Sequence, residues 1–307
     1  MQINDWLHNW LEHYVKPASK QKTYSRYCDI VFQHLIPKFG DTNLEDLTPL
    51  VLQQYISELT EHGNLRTGGG GSANTVNTIV TVIQAALQVA YRLGYLPEYT
   101  ADQVKRPKTA EKQIECFTVE EQKKIEAAAL ADRRPKMFGI VLCLYTGLRI
   151  GELLALEWSD IDFAKGEISV NKSCHDSKKD GKYCRLTEAP KTPTSRRIVP
   201  IPKQFLPLLR EQKKKSSSVF VVGEDKVQTV RSYQYSFSLL LRRIGIPHRG
   251  FHALRHTFAT RALECGMDVK TLSEILGHKN PTVTLNRYVH SLMPHKHEMM
   301  NRLGKLL

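Results

Sequence analysis

The chain has 307 residues, 41% of them hydrophobic, and six cysteines scattered without a Cys-x-x-Cys pair, which is enough for two domains and suggests neither a zinc ribbon nor a disulfide framework. No apolar run approaches the roughly 20 residues of a membrane span, and the first residues do not begin a secretory signal, so a cytoplasmic protein with reduced thiols is expected. The formal charge of +13 predicts a polyanionic partner, nucleic acid before others, and it is unevenly spread: residues 1–104 hold 7 Lys and Arg against 10 Asp and Glu, a net of −3, while residues 105–307 hold 37 against 21, a net of +16.

Residues 3–60 read as two or three amphipathic helices. Trp6, Trp10, Leu11 and Tyr14 share one stripe, Tyr27, Ile30, Val31 and Leu35 a second, and Leu50 to Leu59 supplies a third, with the aromatic residues placed in the core. Gly68-Gly69-Gly70-Gly71-Ser72 reads as a flexible connection that resembles an engineered linker, and it lacks the Gly-Lys-Ser/Thr of a phosphate loop. From Ser72 or Asn74 a helix pattern (Val76, Ile79, Val80, Ile83, Leu87, Ala90, Tyr91) runs to a stop at Gly94 and completes a helical bundle over 1–104. The basic, proline-interrupted stretch 105–115, opening with Lys105-Arg106-Pro107-Lys108, is the predicted interdomain linker.

The second domain, 116–307, begins with a capping-box pattern at Thr118-Val119-Glu120-Glu121 and continues through an apolar helix from Met137 to Tyr145. In the following Thr146-Gly147-Leu148-Arg149-Ile150-Gly151-Glu152-Leu153-Leu154, the residues Ile150, Leu153 and Leu154 are placed inward and Arg149 and Glu152 on another face. A solvated i, i+3 ion pair and a functional pair explain that spacing equally well. Strands are predicted only within 166–201, where Ile168 and Val170 alternate with polar neighbours, Lys178-Lys179-Asp180-Gly181 turns, and Arg197-Ile198-Val199-Pro200-Ile201 closes a small sheet behind a loop that carries Lys191. Helices resume at Pro202 to Lys215 and Tyr233 to Ile244. The expected fold class is mainly α with a small antiparallel β-sheet, an N-terminal helical bundle preceding an α+β domain.

Further along, Phe251, Leu254, Phe258 and Ala262 make a buried stripe, and His252 and Arg255, three apart, project together beside it. A zinc reading of His252 and His256 is weak, because Ala253 stands where a general-base glutamate belongs. Val269, Leu272, Ile275 and Leu276 recur at helical spacing, Gly277 ends that helix, and His278 falls just beyond it. Asn280-Pro281 starts another short helix, on which Leu285 and Tyr288 share a face, so His278 and Tyr288 can lie close together. Met299, Met300, Leu303 and Leu306 form an apolar stripe in a terminal helix within 292–307, suited to docking on its own domain or on another protomer. Taken singly, each of these residues also has a packing or solvation explanation.

Taken together, Thr-Gly-Leu-Arg149-Ile-Gly-Glu152-Leu, Pro-Lys191-Thr-Pro-Thr-Ser-Arg-Arg-Ile-Val-Pro, His252-Ala-Leu-Arg255-His256, Leu-Gly-His278 and Arg-Tyr288 resemble, in order and spacing, the motifs of the tyrosine recombinases, the lambda-integrase family. The N-terminal helical region is similar to that family's core-binding domain, and among subfamilies the chain looks most like the integrases of conjugative transposons and temperate phages. The resemblance implies a site-specific recombinase in which Tyr288 attacks a DNA phosphodiester, leaving a 3′-phosphotyrosyl link and a free 5′-hydroxyl, and strand exchange passes through a Holliday junction. It implies that Arg149 and Arg255 hold the non-bridging oxygens, that Lys191 is the general acid for the departing 5′-oxygen, that His252 and His278 donate hydrogen bonds or shuttle protons, and that Glu152 buttresses the arginines or His278. It implies no metal, no ATP and no other cofactor. It also implies double-stranded DNA with specific core sites as the substrate, a homotetramer on DNA built through the terminal helix, an accessory excision protein, and a bacterial or phage-derived, nucleoid-associated enzyme that integrates or excises a mobile element.

Many integrases of mobile elements carry an arm-site-binding domain ahead of the core-binding helices. Here those helices start almost at Met1, so a simpler recombinase or a shortened chain is expected. The acidic balance of residues 1–104 leaves DNA contact there to a few groups, Lys20, Lys22, Arg26 and Arg92 with Asn74, Thr75 and Asn77, joined by Lys105, Arg106 and Lys108 of the linker. The alternative readings are a type IB topoisomerase-like enzyme and a non-catalytic DNA-binding regulator.

Overall fold

The computed structural model describes residues 1–99, 101–109, 116–132, 134–179, 182–188, 196–223, 228–278, 280–288 and 300–301. Lys191 and most of the terminal stripe therefore lie outside the described residues. The chain forms two compact units, Met1–Lys112 and Gln113–Leu307.

The first unit is helical: α1 (Ile3–Trp10), α2 (Gln21–Ile30), α3 (Ile36–Phe39), α4 (Pro49–His62) and α5 (Ala73–Arg92). α1 and α2 each run on through a π-helical turn, Leu11–Val15 and Val31–Leu35. A π turn brings the residue five places on to the same face, so Val15 at 5% exposure, rather than Tyr14 at 41%, continues the stripe from Trp10. That is a correction to the placement of every aromatic residue in the core. The second π turn precedes Pro37, which has no N–H for the regular ladder; Ile36 N donates to Val31 O instead. Trp6, Trp10, Val31, Leu35, Ile79, Ile83 and Leu87 share the core, and Trp6 Nε1 donates to Ala86 O at 3.2 Å, which satisfies the buried indole.

The glycine run does more than connect. Gly63 N and Gly71 N both donate to Leu59 O, at 2.9 and 3.0 Å, so the loop folds back over the end of α4. A Cβ on Gly70 or Gly71 would lie 2.6 Å from Thr60 O or Leu59 O, a distance that only glycine avoids. Ser72 then caps α5, its hydroxyl accepting from Thr75 N at 3.2 Å. The stretch expected to be flexible is a fitted joint between two helices. The start of the basic stretch is likewise bonded to its own unit. Gln53 bonds the Lys105 backbone in both directions, Asn77 Nδ2 donates to Pro107 O at 3.0 Å, and Arg106 donates to Thr81 Oγ1 at 2.9 Å and to Gln84 Oε1.

The second unit contains α6 (Val119–Ala131), α7 (Pro135–Thr146) and α8 (Ile150–Ala155), then β1 (Ile161–Asp162), β2 (Glu167–Val170), β3 (Ser173–Lys179), β4 (Lys182–Glu188) and β5 (Arg197–Pro200), then α9 (Leu206–Lys215), α10 (Val230–Arg243), α11 (His252–Glu264), α12 (Val269–Leu276) and α13 (Pro281–Tyr288). The Thr118 hydroxyl and the Glu121 carboxylate form the expected reciprocal capping box of α6, at 3.1 and 2.9 Å. α7 is buried from Met137 to Leu144 and serves as the central helix, because apolar residues surround it on all sides. Among the described residues two antiparallel sheets stand where one was expected: β1-β2-β5, with Ile168 opposite both Ile161 and Val199, and the pair β3-β4. β1 has two residues, too few for alternation to signal it. β5 leads back toward α12, and this contact assembles the site.

Candidate active site

A helix leaves its last carbonyls without partners inside the helix, and at its negative end cations are favoured. α12 closes with Gly277 in the left-handed region at φ 64°, and the N–H groups of Gly277 and His278 turn back to Glu274 O and Ser273 O. Three arginines take the next three carbonyls. Arg197 Nε donates to Ile275 O at 2.5 Å, Arg255 Nη2 to Leu276 O at 2.5 Å, and Arg149 Nη2 to Gly277 O at 3.0 Å. Consecutive carbonyls thus hold the guanidinium groups of Arg255 and Arg149 within one peptide unit of each other.

Glu152 balances part of this charge. Its carboxylate accepts from Arg149 N and Arg149 Nη1, both at 2.8 Å, and from Arg197 Nη1 and Nη2 at 2.9 and 2.8 Å. Four donors fill the roughly four lone-pair sites of a carboxylate, which is what a charge at 6% exposure needs. Burial opposes ionisation of Glu152, but the Arg197 fork, with Arg149 behind it, outweighs that and holds its pKa down to about 2. The solvated surface pair is therefore excluded: Glu152 is a buried counter-ion. Its partners are Arg149 and Arg197, and its lone pairs are already used, so the alternative in which it buttresses His278 does not fit this geometry.

Arg255 is 2% exposed, with Nη1 donating to Gly147 O at 2.7 Å and Nη2 lying 3.1 Å from His278 Nε2. A guanidinium only donates, so Nε2 is the acceptor and the ring proton sits on Nδ1, 2.7 Å from Thr284 Oγ1. Thr284 lies on α13, which Asn280 starts by accepting from Thr282 N at 2.9 Å, and Tyr288 ends that helix one turn beyond Thr284. The Tyr288 side chain lies outside the described residues. His252, the first residue of α11, is exposed, and its ring meets His256 edge-on at 4.6 Å. The expected joint projection of His252 and Arg255 does not hold. One lies at the surface and the other runs inward beneath the end of α12.

Arg149, Glu152, Arg255 and His278 are thus brought together from α8, α11 and the turn after α12. Two members escaped sequence reasoning. The sequence pattern marks Arg197 as a strand residue and nothing more, although it falls on the same face of β5 as buried Val199 while Ile198 is 57% exposed. A charged residue at an inward position of a strand was the available signal. Thr284, fully buried on α13, gave none. Three guanidinium groups against one carboxylate leave an excess of two positive charges. Arg149, with its side chain 36% exposed, keeps Nε–H and one hydrogen on each Nη directed at no acceptor among the described residues. Such a fork can receive two oxygens of a phosphate.

In the first unit, Arg26, Asn74 and Thr75 line one groove of about 420 Å³ with Ile30, His34, Thr78 and Ile79. Lys20, Lys22, Arg92, Lys105 and Lys108 are exposed. The side-chain donors of Asn77 and Arg106 are engaged in docking the basic stretch, and Arg26 Nη2 donates to Thr78 Oγ1 at 3.1 Å.

The sequence pattern of the phage integrase family matches residues 111–295, and that of the phage integrase N-terminal SAM-like domain matches residues 3–60. The chain is 32% identical to a XerC-like tyrosine recombinase of Caldanaerobacter subterraneus subsp. tengcongensis, covering 99% of this chain and 83% of that one. It is 30% identical to the ICEBs1 integrase of Bacillus subtilis, covering 94% and 79%. Its fold is similar to that of the Tn1549 transposon integrase in complex with a circular intermediate DNA, with a TM-score of 0.80, 22% identity and 99% of each chain covered. It is also similar to the lambda integrase tetramer bound to a Holliday junction, with a TM-score of 0.69, 21% identity and 92% and 79% covered. The chain belongs to the phage integrase family and is a site-specific DNA recombinase of the tyrosine type.

Proposed function

We propose that Tyr288 is the nucleophile of strand cleavage. Its phenolic oxygen attacks the phosphorus of a DNA phosphodiester as its proton passes to His252 or His278, the bond to the 5′-oxygen breaks, and that oxygen leaves as a hydroxyl with a proton from Lys191. The 3′-phosphotyrosyl link keeps the energy of the broken bond for rejoining, through a Holliday junction, without ATP. Arg149 and Arg255 hold the non-bridging oxygens, Glu152 steadies Arg149, and His252 and His278 donate hydrogen bonds or carry protons. The observation that carries this reading is the convergence of Arg149, Arg255 and His278 on the end of α12, together with the Thr284 bond that ties α13 to His278. The alternatives, a type IB topoisomerase-like enzyme and a non-catalytic regulator, are not favoured by the relatives.

The substrate is double-stranded DNA with specific core sites, and the first unit meets it through the groove of Arg26, Asn74 and Thr75 and through Lys20, Lys22 and Arg92. Four protomers assemble on DNA through residues 292–307. An accessory excision protein fits the same task, the movement of a mobile element in a bacterial cytoplasm. Support comes from the charge of the second unit and from the DNA complexes of the lambda and Tn1549 integrases.

The test is a nicked suicide duplex. Tyr288→Phe should bind it and form no covalent adduct. A normal adduct with that variant would end the assignment.

A further inference from the structure

Arg197 has a place in this site that its position in β5 does not suggest. Its side chain is 6% exposed and every nitrogen is engaged, Nε with Ile275 O and both Nη atoms with the Glu152 carboxylate. It has little room to move, since a Cβ on Gly277 would lie 2.9 Å from its Cδ. Arg149 is held at two points, Glu152 Oε1 and Gly277 O. Arg197 grips both anchors, the carboxylate directly and the helix end two residues before Gly277. We infer that Arg197 is a positioning residue for strand cleavage, bracing Glu152 and the end of α12 so that the open donors of Arg149 keep one direction toward the phosphate. This rests on the proposed role of Arg149.

Lysine cannot replace it, because an ammonium group has no planar fork to span both carboxylate oxygens and a third acceptor. The charged groups facing Glu152 are Arg149, at the start of its own helix, and Arg197 from β5; on α7 the Cys143 thiol, which burial pushes up, also senses the carboxylate. Without Arg197, burial would dominate and Glu152 would take up a proton at higher pH, releasing Arg149.

The full chain, as Arg197→Gln, Arg197→Lys and Arg149→Ala, should be compared with wild type for affinity, thermal midpoint and single-turnover adduct formation on a nicked duplex that wild type cleaves, across pH. Arg197→Gln is expected to bind with wild-type affinity and cleave about 10- to 100-fold more slowly, the range for partners that orient a functional group. Its rate relative to wild type at the same pH should also fall as pH drops toward the ordinary carboxylate range. Arg197→Lys should keep the wild-type pH profile but recover only part of the rate, and it decides the matter if the glutamine variant does not fold. A wild-type rate and profile in a folded Arg197→Gln overturns the inference, as do equal losses of affinity, midpoint and rate in both variants. If Arg149→Ala cleaves normally, the phosphate role of Arg149 fails first; if Arg149→Ala is slow and Arg197→Gln is normal, only the role of Arg197 fails.

Discussion

Arg255 directs an Nη2 hydrogen at Nε2 of His278 across 3.1 Å, and from the other side Thr284 Oγ1 stands 2.7 Å from Nδ1. The ring is held in one tautomer and one plane, and the second contact is also the tie between His278 and the helix that ends in Tyr288. Thr284→Val keeps the side-chain shape and removes the acceptor. It is expected to leave DNA affinity unchanged, slow adduct formation about 10-fold, and cost about 0.5–1.5 kcal/mol of stability through loss of that hydrogen bond. Single-turnover cleavage and a denaturant melt measure both. An unchanged rate would mean that the threonine only fills space.

Arg149 keeps open donors among the described residues. Arg149→Ala should slow cleavage by roughly 10²–10³, or about 3–4 kcal/mol of transition-state stabilisation, while affinity changes far less, because many phosphate contacts share the binding. The measurement is adduct formation at saturating DNA. A rate within twofold of wild type would return Arg149 to a purely structural pair with Glu152.

Glu152 links the site to pH. Burial works against its charge and the two arginines more than offset that, so its pKa lies near 2 in the folded protein against 4.5 for the free side chain. A lowered carboxylate stabilises the fold fully above the unfolded value, and that stability is lost as pH falls from about 4.5 toward about 2; a shift of this size is worth on the order of 3 kcal/mol. Glu152→Gln should therefore unfold more easily than wild type at neutral pH, and the gap should close in acid. Melts of both proteins across that window check this, and a gap independent of pH would refute it.

Much of this was legible in the residues. The capping box at Thr118 and Glu121, the stop at Gly277 and the start at Asn280 are local chemistry, settled within four residues of chain, and the ordered motifs pointed to Arg149, Arg255 and His278 as partners. What local pattern could not carry was depth. Arg255 shares a helix face with His252 on paper, yet the carbonyls of Gly147 and Leu276, distant in sequence, draw it inward. Arg197 sits beside Arg196 in a basic stretch, and only the return of β5 to α12 makes it a buried fork. Tyr14 was misplaced because a π turn shifts the stripe by one residue, a change that helical periodicity does not anticipate.

The glycine joint of the first unit offers a direct contrast. Gly71→Ala puts a Cβ 2.6 Å from Leu59 O, against backbone that is itself bonded to Gly71 N, and should destabilise the unit by about 1–3 kcal/mol. Gly68 has φ 71° with open space around it, so Gly68→Asn, a residue that tolerates this conformation, should cost well under half as much. Equal, negligible effects in thermal melts would restore the reading of the run as a plain flexible linker.

Gly277 joins backbone conformation to chemistry. Its φ of 64° costs a non-glycine residue about 1 kcal/mol or more, and a Cβ there would press on Arg197 at 2.9 Å from Cδ and 3.1 Å from Nη1. Arg197 can yield only by loosening its hold on Glu152 or on Ile275 O, while the Gly277 carbonyl that anchors Arg149 would turn with its own residue. Gly277→Ala is therefore expected to lower the thermal midpoint modestly and to slow adduct formation by more than the stability loss explains, about 10-fold or beyond at a temperature where the variant remains folded. If cleavage at that temperature matches wild type, the arginines tolerate a shifted helix end, and the three-carbonyl frame is dispensable for the reaction.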